Sequence, residues 1–177
     1  FKAGEFTVEV FNSGHIFGSA GFVVEAGGET VAYTGDLNFT DTVLTEAAEP
    51  VGCDLLILEA TYGSPAYRFP AREKIYREII SWTIEKAKDG KIPVFYVYPV
   101  GKAQEIIKLL NQYTELEIFV HPKIARVNRV HGRFGVKLEA EPLEGKIGPG
   151  RCALVYPRSL LGALNLKGQV PALATGW

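Results

Sequence analysis

Residues 13–38, SGHIFGSAGFVVEAGGETVAYTGDLN, hold two glycine-bounded turns separated by two runs of strand character. "GFVVEA" and "ETVAYTG" flank Gly27-Gly28, and paired glycines supply the positive φ that tight hairpin turns demand. A hairpin of these runs returns the chain to its starting end, so the turn with His15 and the turn with Asp36 meet at one end of a sheet. Imidazole and carboxylate donors on strand-end turns suit a metal that activates water for hydrolysis. On residue types alone, Asp after Gly is equally ordinary turn chemistry. Both readings stand at this point.

Outward from the hairpin, "EFTVEVFN" alternates Phe6, Val8 and Val10 with Thr7 and Glu9, the period of a half-buried strand. "CDLLILEA", from Cys53, is apolar on both faces, which predicts a central strand covered on both sides. Residues 70–90 predict an amphipathic helix with Ile75, Ile79 and Trp82 at helical spacing and Gly90 at its end. Strand "IPVFYVY", helix "GKAQEIIKLLNQY" and strand "LEIFVH" follow, an alternation that implies a parallel sheet. From Pro122 onward the pattern weakens to short strands expected around Val136, Ala153 and Leu173. The fold class is therefore α/β, with an antiparallel meander leading into a parallel segment.

The chain of 177 residues, 47% hydrophobic and 22% charged, is long enough to bury a core without staples and has the balance of a folded protein. Cys53 and Cys152 form no C-x-x-C pair, so neither a zinc ribbon nor a disulfide framework is indicated, and a reducing, cytoplasmic setting is expected. No apolar run approaches the roughly 20 residues of a membrane helix. Phe1 in place of methionine, the lack of any methionine and the closing "ATGW" lead to the expectation of a fragment.

"GHIFGSAGF" followed by "YTGDLN" resembles the third and fourth metal-binding motifs of the metallo-β-lactamase-fold hydrolases. "LILEATYGSPAYRFP" resembles the acidic motif that opens the β-CASP subdomain in nucleases of that fold. Within that group, "TYGSP" followed by an aromatic and "FP" is most similar to the DNA cross-link repair nucleases that include Artemis. The resemblance is specific up to about His121 and loose beyond. It implies a partial metallo-β-lactamase αββα domain over residues 1–69 and a β-CASP α/β subdomain over residues 70–177. By the same resemblance, His15 is a metal ligand and Asp36 a ligand bridging two metals, expected to be zinc. Glu59 is the acidic residue near the metals. His121 is the histidine that contacts the scissile phosphate or passes a proton to the leaving oxygen. The family's H-x-H-x-D-H motif is absent, as is a later histidine ligand, so the chain alone is not expected to close a two-metal site.

"PVGKAQE" lacks the Gly at position 96 and the Ser or Thr at position 103 of a phosphate loop, yet Gly101-Lys102 opens a helix, and free amides at a helix start plus a lysine make an anion site, so Lys102 is a candidate for binding nucleic acid. "HPKIARVNRVHGRFGVK" carries Lys123, Arg126, Arg129, Arg133 and Lys137 without an acidic residue. If helical, it places Arg126, Arg129 and Arg133 on one face with Ile124, Val127 and Val130 inward. Phosphate binding is largely this kind of charge, although a solvated basic face has the same pattern and the net charge is only −1. The reading that results is a metal-dependent phosphodiesterase acting on nucleic acid, DNA before RNA. Its rivals are an RNA-processing enzyme of the same fold and a non-catalytic nucleic-acid-binding module.

Overall fold

In a computed structural model the chain divides into two compact units, Phe1–Phe69 and Pro70–Trp177. The described residues are 1–145 and 147–174; the end of "ATGW" lies outside them.

The first unit is built on a five-stranded sheet: β1 (Lys2–Ala3), β2 (Phe6–Asn12), β3 (Ala20–Ala26), β4 (Glu29–Tyr33) and β5 (Leu55–Ile57), side by side in chain order. β1 to β4 pair antiparallel and β5 joins β4 in parallel. The β3–β4 turn runs through Gly27 and Gly28 with φ of 61° and 85°. A turn with positive φ at both central residues matches the twist of the strands it joins. Asp54 pins the far edge, accepting hydrogen bonds at 2.8 Å from both the amide and the hydroxyl of Thr30.

Register puts Val8, Val24, Val31 and Leu55 in one cross-strand row, and Val10, Phe22, Tyr33 and Ile57 in the next. Side chains directly opposite share a face, so this face is apolar from edge to edge. It is only partly covered, with Val10, Phe22, Tyr33, Leu55 and Ile57 exposed. The expectation that "CDLLILEA" forms a central, doubly covered strand is therefore corrected. Three residues pair, at the edge, and Leu55, Leu56, Ile57 and Leu58 are all exposed. An unbroken apolar run says that a strand is compatible with two covers, while its place in the sheet is fixed by pairing partners.

The second unit carries α1 (Arg72–Lys88), β6 (Ile92–Val97), α2 (Lys102–Tyr113), β7 (Glu117–Val120), α3 (Pro122–Arg133), β8 (Glu141–Pro142), β9 (Cys152–Pro157), a 3-10 turn (Arg158–Leu160) and β10 (Gln169–Leu173). Its sheet is wholly parallel in the order β10-β6-β9-β7-β8. All six residues of β6 are buried, as a strand covered on both faces requires. One face packs Phe95, Val97, Ile118, Val120 and Val155 with Ile106, Ile107 and Leu110 of α2, Ile124 of α3, and Ile79 and Trp82 of α1. The other gathers Ile92, Val94, Tyr96, Cys152 and Leu154 beneath Phe119, Leu143, Tyr156, Leu164 and Leu166.

Three expectations for this unit are adjusted. α1 starts two residues after Pro70, because Ala71 keeps extended backbone as the residue before the helix. No strand forms at Val136; the short β8 lies at Glu141–Pro142. In α3 the inward stripe is Ile124, Ala125 and His131, while Val130 is half exposed. At about 100° per residue, Val130 lies roughly 120° from Ile124 and projects beside the arginines.

Candidate metal and nucleic-acid site

The His15 turn leaves β2 and re-enters at β3, and the Asp36 turn leaves β4, so the β3–β4 hairpin delivers both to one end of the first unit's sheet. An isolated antiparallel bridge, Gly14 to Leu37, ties the turns together. The Asn38 amide donates to the Ser13 carbonyl at 2.9 Å, and the Asn38 side-chain amide donates to the Gly14 carbonyl at 3.1 Å. Gly14 has φ of 69°, and a Cβ there would strike the Asn38 carbonyl oxygen and lie 2.5 Å from the Ala48 nitrogen. Only glycine lets the turns close this tightly.

The result is His15 Nε2 at 3.4 Å from Asp36 Oδ2, with the imidazole 16% and the carboxylate 68% exposed. Two donors each about 2.1 Å from a four-coordinate zinc ion lie about 3.4 Å apart, so the pair fits two corners of a tetrahedral site. Glu59 stands beside them. Its carboxylate accepts from the Thr61 amide at 2.9 Å and from the Leu37 amide at 3.4 Å. The Thr61 hydrogen bonds, more than any other influence, hold the Glu59 carboxyl below its ordinary range, with smaller help from Leu37 and from the field of His15. Glu59 is thus an ionised anchor for the Leu37 amide, one residue past Asp36. Among the described residues no group of three or more His, Cys, Asp or Glu is arranged to hold a metal. His15 and Asp36 are two candidate donors at this end of the sheet.

In the second unit, His121 follows β7 and caps α3, its Nδ1 accepting the Lys123 amide at 3.1 Å. With Nδ1 so used, the neutral ring carries its proton on Nε2. Burial, and then the Lys123 ammonium, push the imidazole below its ordinary pKa. The ring meets Tyr156 edge-on at 5.0 Å. Lys123, Arg126, Arg129 and Arg133 are exposed, and among the described residues none has a carboxylate within 4.0 Å. On helical geometry the three arginines fall within an arc of about 60°.

Lys102 sits differently. It is buried, with Nζ 2.5 Å from Glu105 Oε2; Glu105 Oε1 in turn takes Tyr76 Oη at 2.5 Å and Arg72 Nη1 at 3.3 Å. Its ammonium is spent inside the fold, contrary to the expectation of a lysine offered to phosphate. Sequence reading passed over Tyr98 and Arg158, which meet at the second unit's surface: Arg158 Nη1 donates to Tyr98 Oη at 2.7 Å. The available signal was that β6 and β9 each run into Tyr-Pro, as "VYPVG" and "VYPRS".

No family model matches the chain. It is 29% identical over 174 residues to a probable DNA ligase of Opitutus terrae, a match covering 96% of this chain and 17% of that protein. It is 38% identical over 105 residues to an RNase J-like protein of Methanocaldococcus jannaschii (58% of this chain, 25% of that protein). It is 34% identical over 118 residues to endoribonuclease YSH1 of Yarrowia lipolytica (64% and 13%). The chain thus spans a quarter or less of these relatives. A solved protein of unknown function from Enterococcus faecalis V583 superposes with a TM-score of 0.57 at 17% identity, covering 97% of this chain and 39% of that one, a likeness of fold alone.

Proposed function

We propose that the protein carrying this chain is a metal-dependent nuclease of the β-CASP metallo-β-lactamase type. On this reading residues 1–69 contribute part of the hydrolase domain and residues 70–177 the β-CASP subdomain. The observation that carries it is the His15–Asp36 pair, set at a metal-ligand spacing beside the anchored Glu59 carboxylate. Zinc is the ion such nitrogen and oxygen donors suit, and when bound it would polarise a phosphoryl oxygen and activate water.

Each candidate residue then has a task. His15 and Asp36 hold the ion from two turns that Asn38 and Gly14 lock together. Glu59, gripping the Leu37 and Thr61 amides, fixes the Asp36 turn, the role a group behind the ligands plays in orienting them. His121, neutral at pH 7 with its proton on Nε2, donates to a phosphate oxygen or the departing oxygen. Arg126, Arg129 and Arg133, with Lys123, carry the electrostatic share of polymer binding.

For the polymer, the names of two relatives, an RNase J-like protein and an endoribonuclease, favour RNA. This shifts the emphasis from the DNA preference drawn from "TYGSP". DNA is kept as the second reading on one observation, the match to a probable DNA ligase over 96% of the chain. A reducing, cytoplasmic setting is the one we propose for this protein.

The test is cleavage of matched single-stranded RNA and DNA by the full-length protein. Asp36→Ala and treatment with a chelator should each reduce cleavage to background. Unchanged turnover in Asp36→Ala would refute the reading, and the faster substrate decides the polymer.

A further inference from the structure

The parallel sheet of the second unit has a topological switch. From β6 the chain crosses through α2 to β7, on the far side of β9; from β9 it returns through the 3-10 turn to β10, on the far side of β6. The connections leaving β6 and β9 therefore part in opposite directions at the carboxyl ends of two adjacent strands. In open α/β sheets that is where ligands bind.

Tyr98 follows β6 and Arg158 follows β9 at this point. The register pairs Tyr96 with Tyr156 and Val97 with Pro157, so the two side chains emerge together although they lie 60 residues apart. Tyr98 is 49% exposed, and the Arg158 guanidinium carbon lies 5.5 Å from its ring centroid. One Arg158 N–H is committed to Tyr98 Oη; a guanidinium has five. Among the described residues no carboxylate lies within 4.0 Å of Arg158. Exposed Val100 and Leu161 belong to the same two loops. A tyrosine with an arginine lying over its ring at a sheet's carboxyl edge presents a half-exposed aromatic ring and an unneutralised planar cation together. Those are the two groups that a nucleotide's base and phosphate take.

We propose that Tyr98 and Arg158 form a nucleotide subsite that holds one residue of a single-stranded nucleic acid, the base stacked on Tyr98 and its phosphate on Arg158. The assignment deepens the nuclease reading and rests on it for the substrate class. It adds a sequence-tolerant contact separate from the arginine stripe of α3, since an aromatic face accepts any base while a guanidinium accepts any phosphate.

The experiment is fluorescence anisotropy with the full-length protein and a labelled single-stranded oligonucleotide, unmodified or with one abasic residue moved along it, across a salt series. Tyr98→Leu should weaken binding about tenfold, the usual scale of one stacked base. One abasic position should give the same loss in the wild type and no further loss in Tyr98→Leu. Arg158→Gln should lower the slope of log Kd against log salt by about 0.7, one single-strand phosphate contact. Thermal melts check that the variants fold. Folded variants that bind every oligonucleotide as the wild type does would overturn the subsite, as would a wild type that binds none. Cleavage measured on the same samples judges the nuclease reading separately. Turnover with unaffected variants removes only the subsite, and weakened variants without turnover remove only the nuclease.

Discussion

Replacing Glu105 with glutamine tests whether Lys102 belongs to the fold or to the nucleic acid. The Glu105 carboxylate is 6% exposed and faces Lys102 at 2.5 Å and Arg72 at 3.3 Å, whose side chains are 11% and 13% exposed. Tyr76 donates to the same carboxylate at 2.5 Å. Glutamine keeps the shape and one acceptor but removes the carboxylate charge that both cations face in a nearly dry site. Removing one partner of a buried ion pair costs about 3–5 kcal/mol. With a urea m-value of about 2 kcal/mol/M, the midpoint for the second unit should fall by about 2 M. Urea denaturation followed by far-UV circular dichroism reads this directly. Combining Glu105→Gln with Lys102→Met should be milder than the sum of the single changes, with a coupling of about 1–3 kcal/mol. Lys102→Met alone should leave the salt dependence of nucleic-acid binding unchanged. A midpoint shift below about 0.5 M, or a smaller salt slope in Lys102→Met, would refute the internal assignment.

Gly14→Ala should destabilise the first unit by more than about 2 kcal/mol, combining a left-handed backbone that alanine resists with the clash against Asn38 and Ala48, as urea denaturation would show. His121→Ala removes the cap of α3 and should cost about 1 kcal/mol, whereas His121→Asn should retain most of it. The His121 pKa is lowered in the fold, so the unfolded chain takes up the proton first as pH falls. Stability is then full above about pH 6.5 and is lost as pH drops from there through the folded pKa, and His121→Asn should abolish that loss in a series of melts across pH. Arg126→Gln and Arg133→Gln should each lower the salt slope of single-strand binding by about 0.7 while leaving the melting temperature within a degree or two.

What the sequence disclosed depended on how far each feature had to reach. The β3–β4 hairpin is local: alternating apolar residues and Gly27-Gly28 state its register within 14 residues, and the meeting of His15 with Asp36 follows. Helices α1 and α2 announce themselves by 3.6-residue periodicity. β5 and β9 do not, because a short apolar run carries no period that locates it among its neighbours. "LLIL" looked central and lies at an edge, while "CALVYP", read only as a short strand, sits in the middle of the parallel sheet between β6 and β7. Val130 was misplaced because an i, i+3, i+6 spacing drifts by about 60° every three residues and leaves the buried stripe within two turns.

The same distinction governs the functional groups. A charge seen in sequence is only a candidate until its counter-charge is located: Lys102 and Glu105 are three residues apart on one helix, a spacing that advertises a surface pair. What drew them inward is Arg72 and Tyr76, more than 25 residues earlier on another helix. Arg158 shows the converse. It follows strand β9, and it acquires a partner only because parallel pairing brings the end of β9 beside the end of β6. Sites made by antiparallel hairpins can be read from a contiguous motif, since the turn itself specifies which residues meet. Sites at the carboxyl edge of a parallel sheet are set by strand order, which periodicity does not encode. The meeting of His15 with Asp36 was therefore legible from residues 13–38, and the tyrosine–arginine pair needed the fold.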